Sequence, residues 1–314
     1  MTQQRPTSRR RALLMVNPGA RQGNLPLAAI RTRLEAGIDL IDVPWPGPAA
    51  VSDTIRARAQ EADLIVLGGG DGTLNAAASG LYDTQLPLGV IPLGTANDFA
   101  RTLSLPADPV AAADLIVTGA PRALDLGEVN GHPFLNVASI GFSADLAAGL
   151  TREAKRRFGV LGYAVVAARL LLQSRLFTAF IEHDGTVETV RTLQVSVGNG
   201  RHYGGGMTVE ATATADDGKL DFYSLEVDHW WRLLALLPAL RRGTQGEWGD
   251  VRAFRTTAVV VRTSRPRPVN TDGELVTFTP ASFTIRPAAL RVYAPAAAPT
   301  AFSPSATSLP QGAL

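Results

Sequence analysis

Apolar positions follow two different rhythms along the chain. From residue 12 to about 100, short β-forming runs alternate with stretches of helical period. "ALLMV" at 12–16 leads into the turn-rich "NPGARQG", which opens a helix over 26–35. The strand "IDLIDV" at 38–43 follows, then a proline-rich loop, a helix over 50–61 and a buried strand at 62–67. A glycine turn, a helix from about Thr73, a strand at 88–91 stopped by Pro92 and a helix from near Asn97 complete this part. Strands alternating with helices predict a parallel sheet, whose ligands sit beyond the carboxyl ends of the strands. The loops at Asn17, Gly68–Gly72 and Gly94–Asn97 all fall on that edge, so they can converge on one ligand.

After about Asp125 the pattern becomes short and alternating: "HPFLNVASI", "TAFIEHD", "RTLQVSVGN", "KLDFYSLEV" and "TTAVVVRT", separated by glycine and aspartate turns. These predict a second, largely antiparallel β-rich region interrupted by helices at 152–173 and 229–242. The expected organisation is an α/β domain over 10–127, a β-rich domain over 128–294 and a disordered tail, rich in proline, alanine and serine, over 295–314. The segment "HWWRLLALLPALRRG" at 229–243 admits two readings: a helix whose apolar face packs on the β domain, or a surface that approaches a membrane.

Within "LIVLGGGDGTLNAAASG" at 64–80, four glycines occupy five positions around Asp71. A lysine-bearing P-loop is excluded, because the chain's lysines are Lys155 and Lys219 alone. A dinucleotide fingerprint lacks its third small residue, since Thr73 stands there. What remains is a strand ending in a tight turn before a helix. Backbone N–H groups freed of side chains, with about half a positive charge at a helix N-terminus, suit a phosphate. The alternative is a strand-to-helix turn that simply needs positive φ.

Composition narrows the function classes. The chain has 314 residues, 46% apolar and 18% charged, which is ordinary for a globular protein of two domains. Net charge is only +2, and no basic stripe interleaved with aromatics suggests a nucleic-acid face. Zero cysteines exclude disulfides, thiolate zinc sites and a cysteine nucleophile, and are compatible with a cytoplasmic enzyme. The apolar run after Arg9–Arg11 is too short for a signal-peptide core, and "FGVLGYAVVAARLLL" at 158–172 is short for a membrane span, so neither export nor a transmembrane helix is expected.

Acyl-serine chemistry loses its marker because "GFSAD" breaks after Ser143. His132, His183, His202 and His229 are scattered without metal-ligand spacing, and read as strand or surface residues. The candidates for chemistry are therefore carboxylates: Asp71, Asp98, Asp125, Asp272 and Glu274. Asp98 reads equally as a helix cap, and "TDGE" at 271–274 in isolation reads as a hairpin turn.

Taken together and in order, "NPGARQG", "GGGDGTLN", "PLGTANDFAR", "FLNVASIGFSADL", "GNGRHYGGGM", "ADDGKLD" and "NTDGE" resemble the diacylglycerol kinase catalytic family, in its bacterial lipid kinase branch, related to sphingosine kinases. The resemblance runs from about residue 12 to 294. It implies an α/β nucleotide domain with a parallel sheet like those of NAD kinase and phosphofructokinase, joined to a β-rich antiparallel lipid-side domain. It also implies transfer of the γ-phosphoryl group of ATP, with Mg²⁺, to a lipid hydroxyl on a diacylglycerol-like or phosphatidylglycerol-like acceptor, a step of phospholipid metabolism. The implied setting is cytoplasmic or peripheral at a membrane surface, with a homodimer left open.

Residue by residue, the resemblance assigns Asn17, Gly68, Gly69, Gly70, Asp71, Gly72, Thr73, Leu74 and Thr95 to nucleotide contact. Asp272 and Glu274 match its acid motif, the glutamate as proton acceptor and the aspartate near the catalytic metal, with Asp125 linked to that metal through water. "TADDGKLD" resembles a structural Mg²⁺ loop, with Asp217 as side-chain ligand and Thr214 and Lys219 offering carbonyls. Two departures bear on nucleotide affinity: Ala76 stands where the family often has glutamate, and Val43 where it has a hydroxyl. Alternatives are a soluble-substrate kinase of NAD kinase type and a non-catalytic nucleotide-binding protein.

Overall fold

A computed structural model describes residues 9–20, 27–144, 175–203, 207–208, 213–227 and 230–296. The expected helix at 152–173 and the tail beyond residue 296 lie outside them.

The first layer is the expected α/β unit. Strands β1 (Arg10–Val16), β2 (Ile38–Asp42), β3 (Leu64–Gly69) and β4 (Leu88–Pro92) pair in parallel in the order β2-β1-β3-β4. Side chains alternate between two cores: Leu13, Met15, Ile65 and Leu67 on one face, Ala12, Leu14, Leu64 and Val66 on the other. Both faces are apolar because both are covered, as a parallel sheet requires. Helices α2 (Val51–Arg58) and α3 (Asp71–Thr84) supply Val51, Ile55, Ala77 and Leu81 to the first core. Helices α1 (Leu27–Glu35) and α5 (Pro109–Thr118) supply Ile30, Leu34, Ala112 and Ile116 to the second. Helix α5 was not read from the sequence, although "DPVAAADLIV" carries its start signal: Asp108 accepts from the Ala111 N–H at 2.8 Å and Pro109 takes the first turn. Between α3 and α5 lies the short α4 (Asp98–Thr102).

The second region is a β-sandwich. Its first sheet is fully antiparallel, joining β7 (Val137–Gly141), β10 (Gln194–Gly198), β13 (Leu220–Leu225), β14 (Val251–Thr256), β16 (Pro268–Thr271) and β17 (Glu274–Phe278) in the order β14-β13-β10-β7-β16-β17. Facing it are β5 (Pro121–Val129), β6 (His132–Phe134), β8 (Phe177–His183), β9 (Thr186–Thr192), β15 (Ala258–Thr263) and β18 (Ala281–Tyr293). Ile140, Val195, Phe222 and Val269 from one sheet meet Ile181, Val261 and Phe283 from the other. A short pair, β11 (His202–Tyr203) with β12 (Met207–Thr208), stands apart.

The 13-residue β18 joins the two regions. Its first half pairs with β15, its whole length follows β5, and Val292 pairs in parallel with Leu88 of β4. Ten strands thus form one continuous sheet, β2-β1-β3-β4-β18-β15-β8-β9 with β5 and β6 alongside. The register shifts between Arg286 and Leu290, where Ala288 takes φ 51°. Helix α6 (Trp230–Arg242) packs Leu236, Ala239 and Leu240 against Tyr223, Leu225 and Val251. That is the packing reading of 229–243, while the Trp230 and Trp231 side chains lie outside the description.

Candidate functional site

The glycine loop is built by close approach rather than by left-handed backbone. None of Gly68, Gly69, Gly70 or Gly72 has positive φ, which removes the turn-only reading of the run. A Cβ at Gly68 would press on Val16 and Leu93, one at Gly69 would overlap the Thr73 side chain, and one at Gly70 would stand 2.9 Å from Gly94 Cα. These three positions let β3, the start of α3 and the Gly94 loop pack against one another. Gly72 differs: nothing lies within 4 Å of its added Cβ, and the residue is exposed.

Helix α3 starts at Asp71, two residues before the expected Thr73. Its N-cap is Gly70, extended at φ −106° and ψ −171°, with no side-chain cap. Its first N–H groups are therefore open to a ligand at the positive end of the helix. Asn17 braces this arrangement. Its N–H donates to Gly68 O at 2.8 Å, its Nδ2 donates to Thr73 Oγ1 at 2.9 Å, and its Oδ1 accepts from the Gly19 N–H. Asn97, in the left-handed region at φ 51°, closes the neighbouring loop by bonding both the N–H and the carbonyl of Gly94 at 2.9 Å. Thr95 is exposed at its tip. The residues assigned to nucleotide contact thus divide: Asn17, Gly70, Asp71, Gly72 and Thr95 reach the surface, while Gly68, Gly69, Thr73 and Leu74 are buried and shape the loop from beneath.

Asp71 Oδ1 accepts from the Phe99 N–H at 2.9 Å, so this carboxylate caps α4 across the chain. Asp98 is not that cap; it is buried in the helix's first turn. On the β side, β16 and β17 are joined by Asp272 and Gly273, at φ 50° and 99°, with Thr271 paired to Glu274. This is the two-residue hairpin turn that Asp-Gly favours. It carries more than a turn, because the half-buried Asp272 turns its carboxylate inward. Oδ2 accepts from the Leu135 N–H at 2.7 Å, and Oδ1 accepts from those of Asn136 and Val137 at 3.0 Å. Burial pushes its pKa up to about 6 against those donors, and the Asp71 charge pushes the same way. Leu135 packs in the same core as Leu74 of the first turn of α3, which ties this turn to the segment after the glycine loop. Glu274, next to Gly273, is exposed, with no ion pair among the described residues.

Asp125 is buried and anchored by its own backbone partners. Its Oδ2 accepts from the Gly218 N–H at 2.7 Å and its Oδ1 from the Ala288 N–H at 2.8 Å, tying β5 to the 213–219 loop and to the irregularity in β18. A relay connects it to the turn: Asn199 Nδ2 donates to the carbonyls of Asp125 and Leu135, and the Leu135 N–H binds Asp272. In the 213–219 loop, Asp217 Oδ1 accepts from the Lys219 N–H at 3.0 Å, and Arg255 lies 3.7 Å from Oδ2. Arg255 also bonds Asp221 at 2.8 Å, so it sits between two carboxylates on this side of the loop. Asp71, Asp272 and Asp217 all offer hard carboxylate oxygens of the kind that suit a divalent cation.

Sequence reasoning gave no role to the amides that wall this site. Asn136 and Asn199 are 3% and 1% exposed, and the Oδ1 of each has no hydrogen-bond partner. Nearby, the His202 N–H donates to Thr102 Oγ1 at 3.1 Å, and burial, then Arg201 and Arg101, hold the His202 pKa below its ordinary value. These residues lie inside or beside "GTANDFAR", "FLNV" and "GNGRHY", but only folding sets them together.

A cavity of about 320 Å³ opens beside the glycine loop. Val16 and Leu93, which touch Gly68, line it together with Val43 and Trp45. Val43 is buried, and Ala76 and Trp45 pack on the same core as Val43, so both departures from the family pattern fall on apolar surface.

Comparison with known proteins gives a consistent picture. The model described as the diacylglycerol kinase catalytic domain matches residues 11–129, and that described as the YegS C-terminal NAD kinase beta sandwich-like domain matches residues 136–294. A protein of Pseudomonas fluorescens named "Probable lipid kinase YegS-like" is 35% identical over 295 residues, covering 93% of this chain and 98% of the relative. A Mycobacterium tuberculosis protein named diacylglycerol kinase is 32% identical over 275 residues, covering 85% and 88%. The crystal structure of a diacylglycerol kinase from Bacillus anthracis superposes with a TM-score of 0.73 at 26% identity, covering 92% of this chain and 98% of that one. A second structure from that organism gives 0.80 at 28%, covering 94% and 98%.

Proposed function

The chain belongs to the diacylglycerol kinase catalytic family, and from that premise we propose that it transfers the γ-phosphoryl group of ATP to the hydroxyl of a diacylglycerol-like or phosphatidylglycerol-like lipid. The observation that supports this reading is the tie between the Asp272–Gly273–Glu274 turn and the segment next to the glycine loop: Asp272 binds the Leu135 N–H, and Leu135 packs in the same core as Leu74 in the first turn of α3. The nucleoside would occupy the cavity lined by Val16, Val43, Trp45 and Leu93, and the phosphates would lie over Gly70, Asp71 and Gly72, where N–H groups are open and no side chain intrudes. Asn17 holds the loop in that shape, and Thr95 reaches it from the neighbouring turn.

Mg²⁺ bound with the nucleotide would supply neutralisation of phosphate charge, and the carboxylates of Asp71 and Asp272 are the residues that would hold it. Phosphoryl transfer asks a protein chiefly for positioning and charge neutralisation. Both oxygens of Asp272 already accept from backbone N–H groups, which fixes the side chain in place. Glu274 is exposed, and it orients the acceptor hydroxyl and takes its proton. Asp125 acts at a distance, holding the 213–219 loop and β18 that support the turn.

The test is incubation of the full chain with γ-labelled ATP and Mg²⁺, supplied in parallel with mixed lipid vesicles and with water-soluble alcohols. Label should pass into the lipid phase. Label confined to soluble acceptors would favour the NAD kinase type of activity, and no transfer to either would leave a nucleotide-binding protein.

A further inference from the structure

The hairpin that carries the acidic turn also exposes an apolar pair that no part of the site uses. Leu275 is 46% exposed and Phe278 61%. Asn270 pairs with Leu275, and Pro268 with Phe278, while Val269 between them is fully buried in the sandwich. Cross-strand partners share a face, so the register shift in β17 brings both apolar side chains to the face opposite Val269. The other large exposed hydrophobics, Leu27, Tyr82, Val187 and Trp248, are scattered over separate elements. β17 is also the terminal strand of its sheet.

The pair sits on a fixed platform. Asn130 Nδ2 donates to Thr277 Oγ1, Phe278 O and Pro280 O at 3.0–3.4 Å. The Thr279 N–H donates to Arg267 O at 2.9 Å and its Oγ1 accepts from the Arg267 N–H at 3.0 Å, which holds the 263–267 loop against the end of the strand. That loop places Arg265, exposed, next to the end of the strand, while Arg267 turns the other way and stacks 4.1 Å over the Phe177 ring. Arg265 has no carboxylate partner among the described residues. Exposed apolar side chains beside an unneutralised cation match an anionic lipid surface, with its apolar depth and negative headgroups.

We propose that the outer face of the β16–β17 hairpin is the surface on which the protein rests on an anionic bilayer, with Leu275 and Phe278 entering the interface and Arg265 meeting the headgroups. The proposal rests on the lipid-kinase reading. Phe278 lies four residues along the strand from Glu274, roughly 13 Å. Docking here would set the proposed base at the depth where a lipid hydroxyl meets water.

Co-sedimentation of the full chain with phosphatidylcholine vesicles, with and without phosphatidylglycerol, tests it. The double variant Leu275→Ser/Phe278→Ser should partition onto the anionic vesicles about ten-fold more weakly or worse, since two partly buried apolar side chains are lost from the interface. Arg265→Ala should weaken binding less and flatten its salt dependence. Melting temperature and transfer to a short-chain, water-soluble lipid acceptor should be unchanged in all variants. Undiminished vesicle binding by the double variant would overturn the proposal. So would a solution dimer that Phe278→Ser dissociates, because a second copy would then cover this face. The short-chain acceptor reports separately on the lipid-kinase reading: if the parent protein cannot phosphorylate it, that reading fails whatever the vesicles show.

Discussion

The carboxylate of Asp272, in the turn between β16 and β17, accepts from the N–H of Leu135, whose side chain packs in the same core as Leu74 in the first turn of α3. The turn of the sandwich is thereby tied to the helix that follows the glycine loop of the parallel sheet. Asp71 and Asp272 are each tied to backbone, Asp71 to Phe99 and Asp272 to Leu135–Val137. Their negative charge is thereby held in place.

Gly72→Val should leave the melting temperature within a few degrees of the parent while abolishing Mg-ATP binding in a calorimetric titration, because its Cβ meets only open space in the protein. Gly70→Ala should do the reverse. Its Cβ would stand 2.9 Å from Gly94 Cα, a backbone atom that cannot step aside, at a cost of about 1–3 kcal/mol of stability by urea unfolding. Mg-ATP affinity unaltered in folded Gly72→Val would mean the loop does not hold phosphate.

Glu274→Gln should lower kcat by roughly 10²-fold or more while stability and Mg-ATP affinity hold, since the side chain is exposed and unpaired among the described residues. Steady-state kinetics beside a thermal melt would show it. Turnover within a few-fold of the parent would remove Glu274 from the chemistry.

Asp272→Asn is not the benign substitution that its shape implies. All three donors on the carboxylate are N–H groups, so an amide must turn its own NH₂ toward at least one of them. The loss should be about 1–3 kcal/mol in urea unfolding, with turnover falling alongside. An Asp272→Asn protein as stable as the parent would contradict the hydrogen-bond arrangement.

Stability should depend on pH through the same carboxyl. Because its folded pKa, about 6, exceeds the unfolded value, the folded state holds the proton more tightly. The contribution is complete below about pH 4 and is lost as pH rises toward 6, on the order of 3 kcal/mol in all. A carbon-13 carboxyl titration follows Asp272 directly. Asp71→Asn, which keeps an oxygen for the Phe99 N–H, should shift that titration to lower pH. A midpoint that stays in place would show the two charges do not interact.

At the 213–219 loop, Mg²⁺ held by Asp217 and the carbonyls of Thr214 and Lys219 should raise the melting temperature, and a chelator should lower it in the parent but not in Asp217→Ala. A parent protein that melts at the same temperature with Mg²⁺ or a chelator would remove these residues as a metal site.

What the sequence determined by itself is local. Alternation of apolar runs with helical periods specified β1–α1–β2–α2–β3–α3–β4 to within a few residues, because one-face burial imposes a period on the residues themselves. The Asp-Gly turn of the β16–β17 hairpin was equally legible, since only a few residue types accept two successive positive φ values. The motif segments named the family. Pairing between distant segments was another matter. Nothing in "ASFTIRPAALRVY" says that its last residues lie beside Leu88, or that one sheet runs through both layers, because a strand's pattern encodes its faces and not its neighbours. The glycine run illustrates the same limit. Four glycines announce a crowded or strained backbone, but only the packing shows that Gly68, Gly69 and Gly70 admit neighbouring protein while Gly72 alone is left open. Asp125 and Asp272 were legible as carboxylates, yet their backbone partners were set by the tertiary fold. A carboxylate's role depends on which donors and charges share its low-dielectric surroundings, and those come from segments far away along the chain.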